Sequence, residues 1–367
     1  MDFAADHKTT AVWARSRDAE PEETLYRIVE ISSVTGEETE LASYLVKRMA
    51  SLGMKARRDE AGNVLGEAGD PDGPTIMLLG HMDTVPGGPA VRLHDGVLHG
   101  RGTVDAKGPL ATMIFAAARA RLAGAHVVVA GAVGEEGLSP GARHLLSGPA
   151  PDAVVIGEPS GVDGVVLGYK GIIRLTLDVA RPPAHTSAPA DKAVELAADY
   201  WHDLREHLAR RYPSGPMFGR AVPALVGLDG DITRARATIS CRLPPGFDSA
   251  AFRAWLADRA SGGTVTVTED LPAVRSARTD PVVRALSAAV RRSGRRPVAK
   301  VRLGTSDMNV VAPAWSVPAA AYGPGNSRLA HSDDERLALA DYLAAIEVLA
   351  DAVRALAGAL TRRRTQP

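Results

Sequence analysis

The sequence predicts an α/β protein: a main domain with a mixed, mostly parallel sheet flanked by helices, interrupted by a smaller inserted α+β domain. Three observations carry this expectation. Short apolar runs alternate with helical patterns toward both ends of the chain, an order that gives a sheet covered on both faces. Between residues 168 and 277 the order changes to β-α-β-β-α-β, the pattern of a compact, ferredoxin-like insert. A length of 367 residues is also more than one ordinary core organises. The expected division is therefore 1–167 with 278–367 as the main domain, and 168–277 as the insert.

The elements follow in order. Residues 1–19 read as a polar arm. Leu25, Ile28 and Val29, then Leu41, Leu45, Met49 and Leu52 beyond the turn at Gly36, recur at helical spacing. Residues 75–79, 127–133 and 153–156 are short apolar runs, each read as a buried strand, and 109–123 is an Ala-rich helix with Pro109 in its first turn. In the insert, Ile173, Leu175, Leu177 and Val179 alternate as in a half-buried strand. A helix over 192–211, strands around 235–243, a helix over 249–260 and a strand at 264–268 complete it. Helix and strand patterns resume at 281–293, 298–303 and 319–322, and a final helix is expected from 334 to about 360.

Composition excludes several classes. Lys plus Arg and Asp plus Glu both number 43, which speaks against a broad nucleic-acid surface though not against a local basic patch. The one cysteine, Cys241, rules out an internal disulfide framework and a Cys-rich metal site; a small residue on a buried strand is the plain reading. The N-terminal segment lacks the basic start and apolar run of an export signal, and no run approaches about 18 apolar residues. The expectation is a cytoplasmic protein that neither spans a membrane nor binds nucleic acid.

Chemistry concentrates at the ends of the apolar runs. Gly80-His81-Met82-Asp83 follows the first. Strand periodicity would set His81 and Asp83 on one side, so that the carboxylate orients an imidazole whose other nitrogen binds a metal; a structural His–Asp pair is the alternative. Gly100-Arg101-Gly102-Thr103-Val104-Asp105 is a Gly-rich loop, but it lacks the Gly-Lys-Ser/Thr ending of a phosphate loop and presents a single carboxylate. Glu135-Glu136 follows the second run, where an exposed turn is the alternative, and Glu158 follows the third. His331 lies in Ala330-His331-Ser332-Asp333-Asp334 before the final helix. Ligands of such sheets sit beyond the carboxyl ends of the strands. One histidine among several carboxylates would repel itself without cations, and His with carboxylate ligands suits zinc.

In order and spacing, GHMDTVPG, GRGTVDAKG, GEEG, GEPSG and AHSDDE resemble the zinc aminoacylase/carboxypeptidase family, which includes acetylornithine deacetylase, succinyl-diaminopimelate desuccinylase and the carrier-protein-linked lysine and ornithine hydrolases. The resemblance implies two zinc ions per chain, with cobalt able to substitute. His81 and Glu158 would hold one, Glu136 and His331 the other, and Asp105 would bridge them. It further implies that Asp83 orients His81 and that Glu135 is the general base. The insert would be a lid and dimerisation domain of a homodimer, in which His185 polarises the substrate carbonyl, commonly across subunits. Arg242 would meet a substrate carboxylate.

Gly168-Tyr169-Lys170-Gly171 and Gly304-Thr305-Ser306-Asp307-Met308-Asn309 look most like the carrier-linked branch, marking Tyr169, Lys170, Thr305, Ser306, Asp307 and Asn309 as substrate contacts. In that branch hydrolysis frees a basic amino acid, in lysine or arginine biosynthesis, from the C-terminal glutamate side chain of a small acidic amino-group carrier protein. Arg291, Arg292, Arg295, Arg296, Lys300 and Arg302 are then a candidate dock, or simply a solvated basic surface. A small-substrate N-acyl amino acid deacylase, a dipeptidase, and a metal-free binding protein of the same fold are the competing readings.

Overall fold

The computed structural model describes residues 20–121, 123–212, 215–260 and 262–365, so the expected polar arm lies outside the described residues. The chain forms two compact units. The first takes the residues up to Leu167, Ser276–Lys300 and those from Val310 on; the second takes Gly168–Arg275 and Val301–Asn309. The short segment Val301–Asn309 thus goes with the insert, whereas the sequence reading kept all of 278–367 in the main domain. Backbone and amide hydrogen bonds account for this: Lys170 N–H donates to the Arg302 carbonyl at 3.2 Å, and the Asn309 amide donates to the carbonyls of Lys170 and Pro272 at 3.0 and 2.8 Å.

The described residues begin with α1 (Glu20–Glu30), α2 (Thr39–Ser51), β1 (Lys55–Arg58), β2 (Val64–Gly69), β3 (Thr75–His81), β4 (Arg92–His94) and β5 (Val97–His99). It continues through α3 (Lys107–Ala120), β6 (His126–Ala132), α4 (Pro140–Leu145), β7 (Ala153–Ile156) and β8 (Gly164–Tyr169). The insert follows with β9 (Gly171–Ala180), α5 (Ala193–Arg211), β10 (Val222–Gly230), β11 (Arg234–Leu243), α6 (Ser249–Arg259), β12 (Gly263–Leu271) and β13 (Val274–Arg275). Last come α7 (Pro281–Arg292), β14 (Val298–Arg302), α8 (Met308–Trp315), β15 (Ala319–Ala321), β16 (Arg336–Ala338) and α9 (Leu339–Thr365).

The large sheet runs β1-β2-β6-β3-β7-β15-β8. Its middle is parallel, with β3 beside both β6 and β7 and β15 beside β7, while β1, β2 and β8 pair antiparallel toward the edges. β3 is buried from Ile76 to His81, as a central strand covered on both faces must be. Helix α3 packs on β3 and β6 on one side and on α9 on the other. Its alanines let it approach closely on both sides, and only Ala118 and Arg119 escape full burial. Because β3, β6 and β7 run parallel, their carboxyl ends share one edge of the sheet, and the segments beyond them converge there.

The final helix begins later than its sequence pattern predicts. Arg336–Ala338 is a strand that pairs antiparallel with β5, so His331 precedes β16 rather than the helix itself.

In the second unit the four-stranded sheet runs β10-β11-β9-β12, all antiparallel. Ile173, Leu175, Leu177 and Val179 of β9 are buried, and Ala193, Ala197, Tyr200, Leu204 and Leu208 of α5 bring their helical face to the same core. Asp248 caps α6, its side chain accepting from Ala251 N–H at 2.9 Å. Among the described residues no helix is long and apolar enough to cross a membrane.

Candidate metal and catalytic centre

Three parallel strands deliver the first unit's acidic cluster. β3 ends at His81, β6 leads into Glu135 and Glu136, and β7 leads into Glu158. Gly134, at φ +71°, gives the chain the left-handed turn that swings the glutamate pair off the end of β6. Asp105 comes from the loop before α3 and His331 from the loop before β16.

Asp83 organises more of this site than its sequence position suggests. β3 stops at His81, so the two residues are not neighbours on a regular strand. Instead His81 Nδ1 lies 3.0 Å from the Asp83 carbonyl oxygen and 3.4 Å from its carboxylate, which leaves Nε2 directed at the cluster. The Asp83 carboxylate also accepts from the backbone N–H of Glu135 and Glu136 at 3.0 and 3.1 Å and from Thr35 Oγ1 at 2.8 Å. One buried carboxylate therefore positions both the histidine and the adjacent glutamates.

Candidate ligand atoms fall into overlapping triplets whose members lie within 4.8 Å of one another: His81, Asp105 and Glu158; Asp105, Glu136 and His331; and His81, Glu135 and Glu136. The first two share Asp105. His81 Nε2 is buried without a hydrogen bond, facing oxygens of Asp105 at 3.4 Å, Glu158 at 3.8 Å and Glu135 at 4.0 Å. Ligand atoms held about 2.0–2.1 Å from a tetrahedral zinc ion stand about 3.3 Å apart. That spacing, around a polar atom with nothing to bond, is what a divalent cation would fill.

The electrostatics agree. Hydrogen bonds to Asp105 and Glu136 push the His331 imidazole up to about 10. Burial works against charging His81, yet Asp105 and Asp83 hold its pKa well above the usual imidazole value. Burial would raise Asp105, but the two histidines hold it well below the ordinary carboxylate range. The surrounding carboxylates thus favour positive charge at both imidazoles.

Sequence reasoning missed three supporting residues. Thr35 braces Asp83. Glu335, fully buried, accepts three backbone N–H groups of the Asp105 loop and pairs with Arg101. Lys107 is buried with Nζ 2.7 Å from the Ile31 carbonyl, and burial lowers it to about 8. Arg101, Lys107 and Glu335 all stand inside the motifs, but one letter cannot show which way a side chain turns.

The remaining expected residues belong to the second unit. His185 is exposed, with Nδ1 2.7 Å from Ser187 Oγ. Arg242 donates to Thr305 Oγ1 at 2.9 Å. Tyr169, Lys170, Ser306, Asp307 and Asn309 are buried. Lys170 directs its ammonium at the carbonyls of Met217 and Arg220, and the Asn309 oxygen accepts from Ser306 N–H at 2.9 Å, so these two tie backbone segments together. Of the arginine-rich segment, Arg292 pairs with Asp351 at 2.6 Å and Lys300 donates to the Ser160 carbonyl at 2.6 Å. Arg291 instead lines a groove of about 710 Å³ in the first unit with Arg278, Arg284, Arg362 and Arg363, and among the described residues no carboxylate lines it.

A family model described as Peptidase family M20/M25/M40 matches residues 77–355. The chain belongs to this family. Its membership in the M20 peptidases agrees with the hydrolytic, metal-binding character of the donor set. A [LysW]-lysine hydrolase of Deinococcus radiodurans is 43% identical over 354 residues, covering 92% of this chain and 97% of the relative. Aminopeptidase PepT of Bacillus cereus shares the fold, with a TM-score of 0.78 at 20% identity over 93% of this chain and 99% of that one. So does the YXEP protein of Bacillus subtilis, a dinuclear metal binding peptidase of the M20 family, with a TM-score of 0.68 at 15% identity over 94% and 98% of the two chains.

Proposed function

We propose that this M20-family chain is a cytoplasmic zinc hydrolase that releases a basic amino acid, lysine or a close diamino relative, from the C-terminal glutamate side chain of a LysW-type carrier protein. The observation that carries the reading is the 43% identity, along nearly the full length of both chains, to the [LysW]-lysine hydrolase. Two ions per chain would be held by His81 with Glu158 and by Glu136 with His331, Asp105 serving both. When bound, such ions supply positive charge that lowers the pKa of water and polarises the amide carbonyl.

The chain's own residues do the rest. The Glu135 carboxylate takes a proton from the attacking water and returns it to the amine nitrogen as the C–N bond breaks. Asp83 keeps His81 in one orientation and fixes the backbone that carries Glu135. From the second unit, His185 would donate to the carbonyl oxygen and Arg242, steadied by Thr305, would meet a substrate carboxylate. Tyr169, Lys170, Ser306, Asp307 and Asn309 would shape the surroundings of that contact. The homodimer we assign is supported by β10, an edge strand with Val226 66% and Leu228 39% exposed, since a bare apolar edge invites a second strand.

The test is a competition among substrates. Purified enzyme loaded with zinc is given a carrier–lysine adduct, acetyl-lysine, acetylornithine and a dipeptide, with products read by mass spectrometry. The expected outcome is carrier-adduct cleavage with kcat/KM at least about 100-fold above the others, since a site built for one polar partner discriminates by that much or more. Faster cleavage of an acetylated amino acid or the dipeptide would move the assignment to a small-substrate deacylase or peptidase.

A further inference from the structure

Two loops of the first unit are joined by a buried ion pair that lies outside the ligand set. Arg101 and Glu335 meet at 2.5 Å, with 12% and 0% of their side chains exposed. Glu335 Oε1 accepts from the N–H groups of Gly102, Val104 and Asp105, each at 3.0 Å. Arg101 reaches the other loop: its guanidinium donates to the carbonyls of Ser332 at 3.3 Å and His331 at 3.4 Å, and its Nε donates to the Gly87 carbonyl at 3.2 Å. Gly100 N–H closes the connection with a 3.2 Å bond to the Glu335 carbonyl.

These loops carry Asp105 and His331, two of the three members of the Asp105–Glu136–His331 group. His331 is the less secure of the two. Its φ is +61°, a left-handed conformation that a non-glycine residue adopts only when its surroundings hold it there. Its side chain is also 47% exposed, so packing does little to fix it. The other candidate group draws His81 and Glu158 from the ends of adjacent central strands, and the sheet itself sets their positions.

We infer that the Arg101–Glu335 pair is a positioning device that sets the affinity of the His331 metal subsite more than that of the His81 subsite: Asp105 belongs to both candidate groups, but His331, whose backbone the guanidinium holds, belongs to one. The inference rests on the two-metal reading above. It requires only that the guanidinium hold the His331 backbone in its left-handed turn while the carboxylate holds the backbone of Asp105. Loss of the pair would let the His331 loop relax to an ordinary conformation, moving the imidazole away from Glu136 and Asp105. Outer partners of metal ligands commonly contribute 10- to 100-fold to affinity.

The experiment compares the wild-type chain with Arg101→Met/Glu335→Gln, which removes both charges and keeps a carbonyl oxygen in place of the carboxylate. Each metal-free protein is titrated with zinc by calorimetry and with cobalt by visible absorption, after circular dichroism has shown an unchanged fold. Two binding events are expected for the wild type. In the double variant one event should stay within about threefold, because the retained amide oxygen still accepts from the Asp105 loop, and the other should lose 10- to 100-fold, with metal retained after gel filtration falling from two ions per chain toward one. Activity should return when zinc is raised in proportion. Arg101→Lys, which keeps a cation without the fork of donors, should fall between the two. Equal weakening of both events, or two unchanged events, overturns the inference while leaving the metal-centre reading intact. A wild-type chain that takes up no divalent ion overturns both.

Discussion

Glu135 and Glu136 are sequence neighbours with separate tasks in our assignment, and single substitutions can tell them apart. Both have their backbone N–H groups bonded to Asp83, so changing either side chain leaves the loop anchored. Glu136 bonds His331 at 2.8 Å and shares a candidate ligand group with it. We therefore expect Glu135→Gln to keep its full metal content and lose turnover by about a hundredfold to ten-thousandfold, the usual contribution of a general acid–base group. Glu136→Ala should lose about one ion per chain first, as read by elemental analysis. Reversed results would mean that the two roles are exchanged. Asp83 sets a related expectation. Its carboxylate is fully buried with three hydrogen bonds besides its contact with His81, so Asp83→Ala should cost about 1–3 kcal/mol of unfolding free energy in a denaturant titration.

Among the elements, β11 gives the cleanest test of how tightly the insert is packed. Cys241 lies on it, fully buried, between Pro223 of β10 and Ile173 of β9, and burial pushes its thiol from 9.0 up to about 12. Below pH 9 the thiol is neutral in both the folded and the unfolded chain, so its contribution to stability is fully present. As the pH rises toward 12 only the unfolded chain ionises, and that contribution is lost. A thiol reagent at pH 8 should therefore leave the folded protein unlabelled for hours and label it at once in denaturant. Rapid labelling of the native chain would show that β11 opens locally. The neighbouring helices explain why such opening is not expected: α5 and α6 seal the same core, with Phe252 and Leu256 buried in it.

For the whole molecule, two expectations concern partners. If the homodimer places His185 across subunits, then mixing inactive His185→Ala with inactive Glu135→Gln chains should recover activity, because one of the two sites in each heterodimer is intact. Confirmed subunit exchange without recovery would put the whole site in one chain. If the arginine groove is where a carrier docks, its charges should steer association. Arg292 is held by Asp351, which makes Arg284 and Arg291, both lining the groove, the better places for charge reversal. Arg284→Glu/Arg291→Glu should slow carrier-linked turnover mainly through association. The loss should grow at low ionic strength, where the Debye length is about 30 Å rather than about 8 Å. A small γ-glutamyl-linked lysine should be cleaved as before; equal slowing of both substrates would mean that the groove acts on folding or on the centre itself.

The sequence by itself determined the strands that end at the site, the βαββαβ insert and the residues that gather as candidate ligands. Those features are local: periodicity is written in neighbouring residues, and a strand followed by Gly and a carboxylate places that carboxylate at a sheet edge whatever lies around it. Tertiary structure decided what depends on residues far apart in the chain. Arg336–Ala338 looked like the start of a helix and became β16 because β5 offered it a partner. Val301–Asn309 joined the insert because Lys170 and Pro272, more than thirty residues earlier, accept its hydrogen bonds or donate to it. Lys170 and Asn309, read as substrate contacts, turned to backbone groups of distant segments. Glu335 and Arg101 were visible as letters in two motifs, but the ion pair joins positions 234 residues apart. A buried charge finds its partner only when folding removes water from both, and no local pattern encodes that meeting.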